Sequence, residues 1–223
     1  MKNKMKFIFA GISVLLTAVL IVLVRLVDVA PIGPEGTSIG LSHLNQAVPD
    51  LSGVTIFWYD ITEWFGIVAI LIAGLFALTG LVQLVKGKSI RNVDKEVLAL
   101  GALYMVVIGL YGLFEIVIVN YRPVIMPDEV HPEASFPSSH TMLVCVVLGS
   151  AMMLMDHFIK KEMLRKVLRI VCAVMIGMTV IGRLLSGVHW FTDIIGGVLI
   201  SSALLLLFSG IMESISTDHK ANA

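Results

Sequence analysis

Six long apolar stretches constrain this chain more than any other feature of its sequence. Each has roughly the 20 residues that a helix needs to cross the hydrocarbon core of a bilayer. They run over 7–26, 65–85, 97–119, 138–159, 164–185 and 190–212. With 57% hydrophobic and only 14% charged residues, the composition does not fit a soluble domain. We therefore predict an all-α integral membrane protein with six transmembrane helices, folded as a single domain over residues 1–223.

The positions of lysine and arginine predict how the chain lies in the membrane. Of 16 such residues, all but Arg25, Arg122 and Arg183 fall in the terminal tails or in and beside the loops after the second and fourth stretches. Short loops rich in basic residues stay in the cytoplasm, so we expect both termini there. The loops expected outside are 27–64, 120–138 and 184–189. The first stretch has the basic-then-apolar order of a signal peptide, but no clear cleavage site follows it, so we expect it to remain as a span.

Polar residues cluster at the predicted outer ends of the last four helices. They are Arg122 after the third stretch, Ser138, Ser139 and His140 opening the fourth, Arg183 ending the fifth, and His189 and Asp193 opening the sixth. Such groups are costly near a bilayer and usually mark a functional site. We predict that they meet at one depth on the outer side.

The chemistry of this set suits a phosphate group. Ser138 can cap the fourth helix, which leaves the N–H groups of Ser139 and His140 free at an anion-binding helix end. Arginines bind phosphate through two parallel hydrogen bonds. Two histidines can divide phosphoryl transfer, one attacking phosphorus and the other protonating the leaving oxygen. The i, i+4 spacing of His189 and Asp193 lets the carboxylate hold one ring nitrogen and free the other to attack.

Three short motifs carry a family resemblance. They are "EIVIVNYRP" at 115–123, "PSSH" at 137–140 and "GRLLSGVHWFTD" at 182–193. Their order and placement resemble K-x6-R-P, P-S-G-H and S-R-x5-H-x3-D of the type 2 phosphatidic acid phosphatase superfamily of membrane lipid phosphatases. The spacing from Arg183 to His189 and Asp193 matches in full. By motif, the resemblance covers roughly 115–197.

The resemblance implies a role for each matched residue. His189 would be the nucleophile that forms a phosphohistidine, Asp193 would orient it, and His140 would be the general acid. The phosphoryl oxygens would be held by Arg122, Arg183, Ser138 and Ser139. The family requires no metal or other cofactor.

The resemblance also implies a substrate class, which is a lipid phosphate or diphosphate reached from the surrounding membrane lipids. An isoprenoid diphosphate such as undecaprenyl diphosphate, phosphatidylglycerol phosphate and phosphatidic acid are the candidates, and no nucleic-acid partner is expected. The short loops and basic N-terminus favour a bacterial plasma membrane with the site facing outward.

Glu115 departs most from the motifs, because the family has lysine there. The milder departures are Ser139 in place of glycine and Gly182 in place of serine. Glu115 lies seven residues before Arg122, which on a continuous helix would place both on one face. Either Glu115 pairs with Arg122 or Arg183 and positions it, or it meets a cationic headgroup, or the site has lost hydrolytic power. The last alternative would make the protein a non-hydrolytic lipid-binding or transport protein; transfer of the phosphoryl group to an acceptor other than water is also open.

Overall fold

The computed structural model describes residues 2–52, 55–126 and 129–221, and these form α-helices joined by short turns and by two longer connections, after α1 and after α4. The helices are α1 (Lys2–Leu26), α2 (Ser42–Ser52), α3 (Ile56–Gly87), α4 (Lys95–Ile116), α5 (Ser139–Phe158), α6 (Glu162–Leu185) and α7 (Phe191–Ala221). Six of them, all except α2, are long and apolar enough to cross a membrane. The predicted all-α architecture with six spans is confirmed.

Helix α5 forms the centre of the bundle. Of its apolar segment 67% is buried inside the protein, against 11% for α1 and for α3, whose apolar side chains face outward. Side chains of α5 such as Val144, Val146 and Leu148 are fully enclosed by α3, α4, α6 and α7. The residues at the start of α5 therefore lie where several helix ends converge.

The start of α1 and the last turns of α7 lie together at one end of the bundle, called here the terminal end. Lys6 of α1 pairs with Glu213 of α7 at 3.0 Å, and Asn3 donates a hydrogen bond to Ser214. Because α7 ends there, its start at Phe191 lies at the opposite end. That the termini face the cytoplasm stays a prediction.

Among the helix boundaries that differ from the predicted ones, the start of α3 and the end of α4 lie at the end of the bundle opposite the termini. Helix α3 begins at Ile56 rather than at residue 65, because the stretch 56–64 continues the helix despite its polar residues. Its start is tied to the turn after α6 by a hydrogen bond from the Thr55 N–H to the Ser186 carbonyl, at 3.2 Å. Helix α4 ends at Ile116, before the predicted residue 119, and the chain then extends to form an antiparallel bridge between Tyr121 and Ala134.

Candidate active site

The predicted site residues lie at the end of the bundle opposite the termini, where a network of backbone hydrogen bonds holds the loops together. Around the Tyr121–Ala134 bridge, the Arg122 N–H donates to the Glu133 carbonyl and the Ser135 N–H to the Asn120 carbonyl, each at 3.0 Å. The Trp190 indole N–H donates to the Tyr121 carbonyl at 2.7 Å. The loop before α5 is thereby held against the start of α7.

His189 and Asp193 are joined through a third residue, Ser135. The Ser135 Oγ lies 3.1 Å from His189 Nδ1 and donates a hydrogen bond to Asp193 Oδ2 at 2.5 Å. The direct distance between Nδ1 and Oδ2 is 3.6 Å. Helix α7 begins at Phe191, so His189 precedes the helix instead of opening it, and its i, i+4 spacing to Asp193 is not a spacing within one helix. The carboxylate still lies on the Nδ1 side of the ring.

The Asp193 carboxylate is fully buried and has three hydrogen-bond donors. It accepts hydrogen bonds from Ser135, from Asn120 Nδ2 at 2.8 Å and from the Trp190 N–H at 2.9 Å. A buried charge requires such partners. These contacts hold the carboxylate in one orientation next to His189.

The other nitrogen of His189, Nε2, is buried and has no hydrogen-bond partner among the described residues. Burial holds the pKa of His189 well below its usual value of 6.5, and the positive charges of Arg122 and Arg183 act in the same direction. The imidazole is therefore neutral at neutral pH, with Nδ1 directed at Ser135 and the Nε2 lone pair free.

Arg122 shares a small cavity of about 60 Å³ with His189, Ser139 and Glu115. Its Nε forms an ion pair with Glu133 Oε2 at 3.1 Å, while its buried Nη1 has no hydrogen-bond partner in the described structure. The unpaired guanidinium donor suits an anion, and His189, whose Nε2 lone pair is free, lines the same cavity.

His140 and Arg183 form a second cluster with Glu63 of α3. Arg183 Nη2 lies 2.7 Å from His140 Nδ1, and Arg183 Nη1 donates to Glu63 Oε1 at 3.1 Å. Glu63 Oε2 lies 3.1 Å from His140 Nε2. The Arg183 side chain is only 1% exposed, and its Nε has no partner among the described residues.

Ser138 caps α5, as predicted. Its Oγ accepts from the Thr141 N–H at 3.4 Å and from the Thr141 hydroxyl at 3.0 Å, while its own N–H donates to the Asp193 carbonyl. The backbone N–H of Ser138 is therefore already engaged in a hydrogen bond within the protein. Ser139, by contrast, lines the cavity. That these serines bind phosphate stays a prediction.

Glu115 lies on the cavity wall but does not form an ion pair with an arginine, which was the first of the three alternatives for it. In the described structure Arg122 pairs with Glu133 and Arg183 with Glu63. The expectation of one shared helix face fails because α4 ends between Glu115 and Arg122. The pairing of Glu115 with an arginine is therefore wrong here.

Three residues of the site escaped the sequence analysis: Ser135, Asn120 and Glu63. Ser135 and Asn120 lie close to the motifs, in "SFPSSH" and "NYRP", and this position in the sequence is the only indication of a role. Glu63 lies in "ITEWFG", and its only signal was a carboxylate at the edge of an apolar stretch.

An apolar cavity of about 320 Å³ adjoins the polar one. Its lining shares Tyr111, Ser139 and Met142 with the polar cavity, and it also includes His140 and Glu63. The rest of its wall comes from apolar side chains of α3 and α4, among them Ile67, Ile70, Val107 and Ile108. Apolar space therefore reaches the polar groups from the side of the bundle.

The fold and the site define an all-helical, multi-pass membrane protein with a buried polar site at one end of its bundle. The sequence matches the family model described as PAP2 superfamily over residues 96–215. The chain belongs to the PAP2 superfamily, which confirms the resemblance seen in its motifs.

A curated protein and a solved structure are similar to this chain. Phosphatidylglycerophosphatase B of Bacillus subtilis (strain 168) is 33% identical over 122 residues, and the match spans 52% of this chain and 59% of that relative. The crystal structure described as the first transmembrane PAP2 type phosphatidylglycerolphosphate phosphatase, also from Bacillus subtilis, superposes with a TM-score of 0.65. It is 18% identical and covers 92% of this chain and 96% of its own, so it supports the fold.

Proposed function

We propose that this protein is a membrane lipid phosphatase that hydrolyses a lipid phosphate or diphosphate through a phosphohistidine intermediate. One observation carries the proposal. His189 Nε2 and Arg122 Nη1 are both buried and lack a partner in the described structure, and the two residues line the same cavity at the start of α5. A nucleophile and an anion donor facing one small space suit phosphoryl transfer.

The reaction has two steps, in which His189 is the nucleophile and later the leaving group, while His140 acts first as an acid and then as a base. His189 Nε2 forms a bond to phosphorus as the bond from phosphorus to the lipid oxygen breaks, and His140 gives a proton to that leaving oxygen. Water, deprotonated by His140, then attacks phosphorus, and the bond to Nε2 breaks to release phosphate. Arg122 and Arg183, together with Ser139 at the positive end of α5, stabilise the charge on the phosphoryl oxygens.

The adjoining apolar cavity supports a lipid as the substrate. A chain attached to a phosphoryl group in the polar cavity can extend between α3 and α4, where the lining is apolar. The similar curated protein and the similar crystal structure bear the names of a phosphatidylglycerophosphatase and a phosphatidylglycerolphosphate phosphatase, so we rank this lipid first. An isoprenoid diphosphate such as undecaprenyl diphosphate and phosphatidic acid are the alternatives.

We propose that the site faces outward from a bacterial plasma membrane. It lies at the end of the bundle opposite the termini, and the loops at the terminal end carry most of the basic residues. By the positive-inside rule that end is cytoplasmic. A cysteine placed at exposed His131 should react with a membrane-impermeant maleimide added to intact cells, whereas one placed at Lys88 should not. The reverse pattern would contradict the orientation.

The test of activity is phosphate release from these three lipids in detergent, with a chelator present and with water enriched in oxygen-18. The wild type is compared with His189→Ala and with the matched control His157→Ala, whose ring is half-exposed at the opposite end. We expect labelled phosphate from the wild type and the control and none from His189→Ala. No release from any lipid by the wild type would overturn the proposal, and unlabelled phosphate transferred to an acceptor would indicate a phosphotransferase.

A further inference from the structure

Glu63 contacts both His140 and Arg183, although it lies outside the three motifs and outside the matched region 96–215. One carboxylate oxygen lies 3.1 Å from His140 Nε2 and the other lies 3.1 Å from Arg183 Nη1. The three side chains come from α3, α5 and α6. Through Glu63, α3 therefore contacts the predicted site residues of α5 and α6.

The partners of His140 determine which of its ring nitrogens carries the proton. A guanidinium only donates hydrogen bonds, so His140 Nδ1 accepts from Arg183 Nη2 at 2.7 Å. A neutral imidazole with an acceptor at Nδ1 holds its proton at Nε2. That N–H is directed at Glu63 Oε2.

The backbone of α3 is shaped to allow this contact. Gly66 lies one turn after Glu63, and a Cβ atom placed there would lie 2.9 Å from His140 Cδ2. The absence of a side chain at Gly66 lets the imidazole rest directly on α3. Glu63 and Gly66, three residues apart, present one face of the helix to His140.

The arrangement parallels that of His189. In each case a carboxylate lies on one side of the imidazole, directly at Glu63–His140 and through Ser135 at Asp193–His189. The other nitrogen of His189 borders the polar cavity, and the other nitrogen of His140 contacts Arg183, a predicted phosphate ligand. A phosphoryl group bound by Arg183 would lie next to His140 Nδ1.

We propose that Glu63 is the positioning residue of the general acid, and this inference rests on the proposed phosphatase function. The carboxylate holds His140 at Nε2 and stabilises its protonated form. When the substrate anion draws Arg183 toward it, Nδ1 is released and takes up a proton from solvent. Nδ1–H then gives that proton to the leaving lipid oxygen as the bond to phosphorus breaks, and His140 returns to the neutral form with its proton at Nε2.

The test compares two leaving groups, because only a poor one needs an acid. Dioctanoyl phosphatidic acid releases an alkoxide that must be protonated, whereas 4-nitrophenyl phosphate releases a stable phenolate. The kcat/KM for each is measured for the wild type and Glu63→Gln, since this constant reports cleavage of the bond to the leaving oxygen. General acid catalysis contributes about 100-fold or more. We therefore expect Glu63→Gln to lower kcat/KM roughly 100-fold for the lipid and only about tenfold for the aryl ester.

Two further variants separate positioning from a general structural effect. Asp60→Asn removes an exposed carboxylate from the same helix and should leave the ratio of the two kcat/KM values unchanged. Glu63→Asp keeps the charge and should recover part of the loss on the lipid. If Glu63→Gln is not recovered as a folded monodisperse protein, Glu63→Asp takes its place, because the shorter side chain cannot keep both contacts and should still lose more on the lipid than on the aryl ester.

The outcomes distinguish this inference from the proposed function. If the wild type hydrolyses the lipid but the variant loses equally on both substrates, Glu63 acts through Arg183 or through the fold, and the inference is overturned. An unchanged lipid rate in Glu63→Gln also overturns it. A wild type without activity on either substrate contradicts the phosphatase function itself.

Discussion

Ser135 lies between His189 and Asp193, with its Oγ 3.1 Å from the imidazole Nδ1 and 2.5 Å from the carboxylate Oδ2. The imidazole and the carboxylate themselves are 3.6 Å apart, too far for a strong hydrogen bond. Because the Ser135 hydroxyl donates to Asp193, its lone pair accepts from Nδ1–H. The orientation of His189 by Asp193, which the motif spacing predicts, passes through this hydroxyl.

We expect Ser135→Ala to lower turnover of the lipid substrate. A hydrogen bond to a charged group contributes about 1.5–3 kcal/mol, so its loss corresponds to roughly a 10- to 100-fold lower kcat. Steady-state phosphate release in detergent measures the effect. Ser202→Ala is the control, because its hydroxyl donates only to the Val198 carbonyl within α7. Equal rates for Ser135→Ala and the wild type would show that Asp193 acts on His189 directly.

We expect Glu115→Gln to strengthen inhibition by inorganic phosphate. Glu115 lines the cavity with Arg122 but pairs with neither arginine, so its charge opposes an anion there. At about 1 kcal/mol for a well-solvated pair of charges at 4 Å, the inhibition constant should fall roughly fivefold.

Glu133→Gln is the matched comparison for Glu115→Gln. Glu133 holds Arg122 Nε at 3.1 Å, so its removal should loosen the arginine and raise the inhibition constant. If Glu115→Gln raised the constant as well, Glu115 would have a positioning role despite the absence of an ion pair.

We expect acid to destabilise the protein through His189. The pKa of the buried imidazole lies well below 6.5 in the folded protein, whereas the unfolded chain takes up a proton near pH 6.5. Between these two pKa values the unfolded state binds more protons, so the free energy of unfolding falls as the pH falls. The slope for one such group is at most about 1.4 kcal/mol per pH unit.

Melting temperatures in detergent between pH 5 and pH 7.5 test this expectation. The wild type should lose more stability than His189→Gln, which cannot titrate. His157→Gln removes a half-exposed imidazole and should follow the wild type. Parallel curves for the wild type and His189→Gln would mean that burial of this imidazole does not contribute to the acid sensitivity.

We expect Gly196→Ala to destabilise the loop that carries Ser135. A Cβ atom at Gly196 would collide with the ring of Phe136, which is 2% exposed and follows Ser135. Overpacking of this kind costs about 1–3 kcal/mol. Both the melting temperature and turnover should fall.

Gly109→Ala provides the control for Gly196→Ala. Gly109 also lies in a membrane-spanning helix, but a Cβ atom there meets nothing within 4 Å. Its melting temperature should equal or exceed that of the wild type. A Gly196→Ala protein as stable and active as Gly109→Ala would show that Phe136 moves without affecting the site.

Most of the architecture was predictable because it depends on local hydropathy. A segment in hydrocarbon must satisfy its own backbone hydrogen bonds, so an apolar stretch of sufficient length becomes a helix whatever its neighbours do. The start of α3 was placed too late because 56–64 contains Asp60 and Glu63, which lower its hydropathy without interrupting the helix. The predicted end of α4 was too late for the opposite reason, since Val117, Ile118 and Val119 are apolar but extended toward the bridge at Tyr121.

The sequence by itself determined the six spans, the cap at Ser138 and the set of arginines and histidines at one end of the bundle, because each depends on composition or short spacing. Only the tertiary structure decided how these side chains are paired. Glu63 and Arg183 are 120 positions apart in the sequence, and Ser135 and His189 are 54 positions apart. No local sequence pattern specifies a contact over such separations. Arg122 pairs with Glu133 rather than Glu115 because α4 ends first and the loop returns alongside it. Helix packing and loop pairing bring such residues together, and they are set by the whole chain.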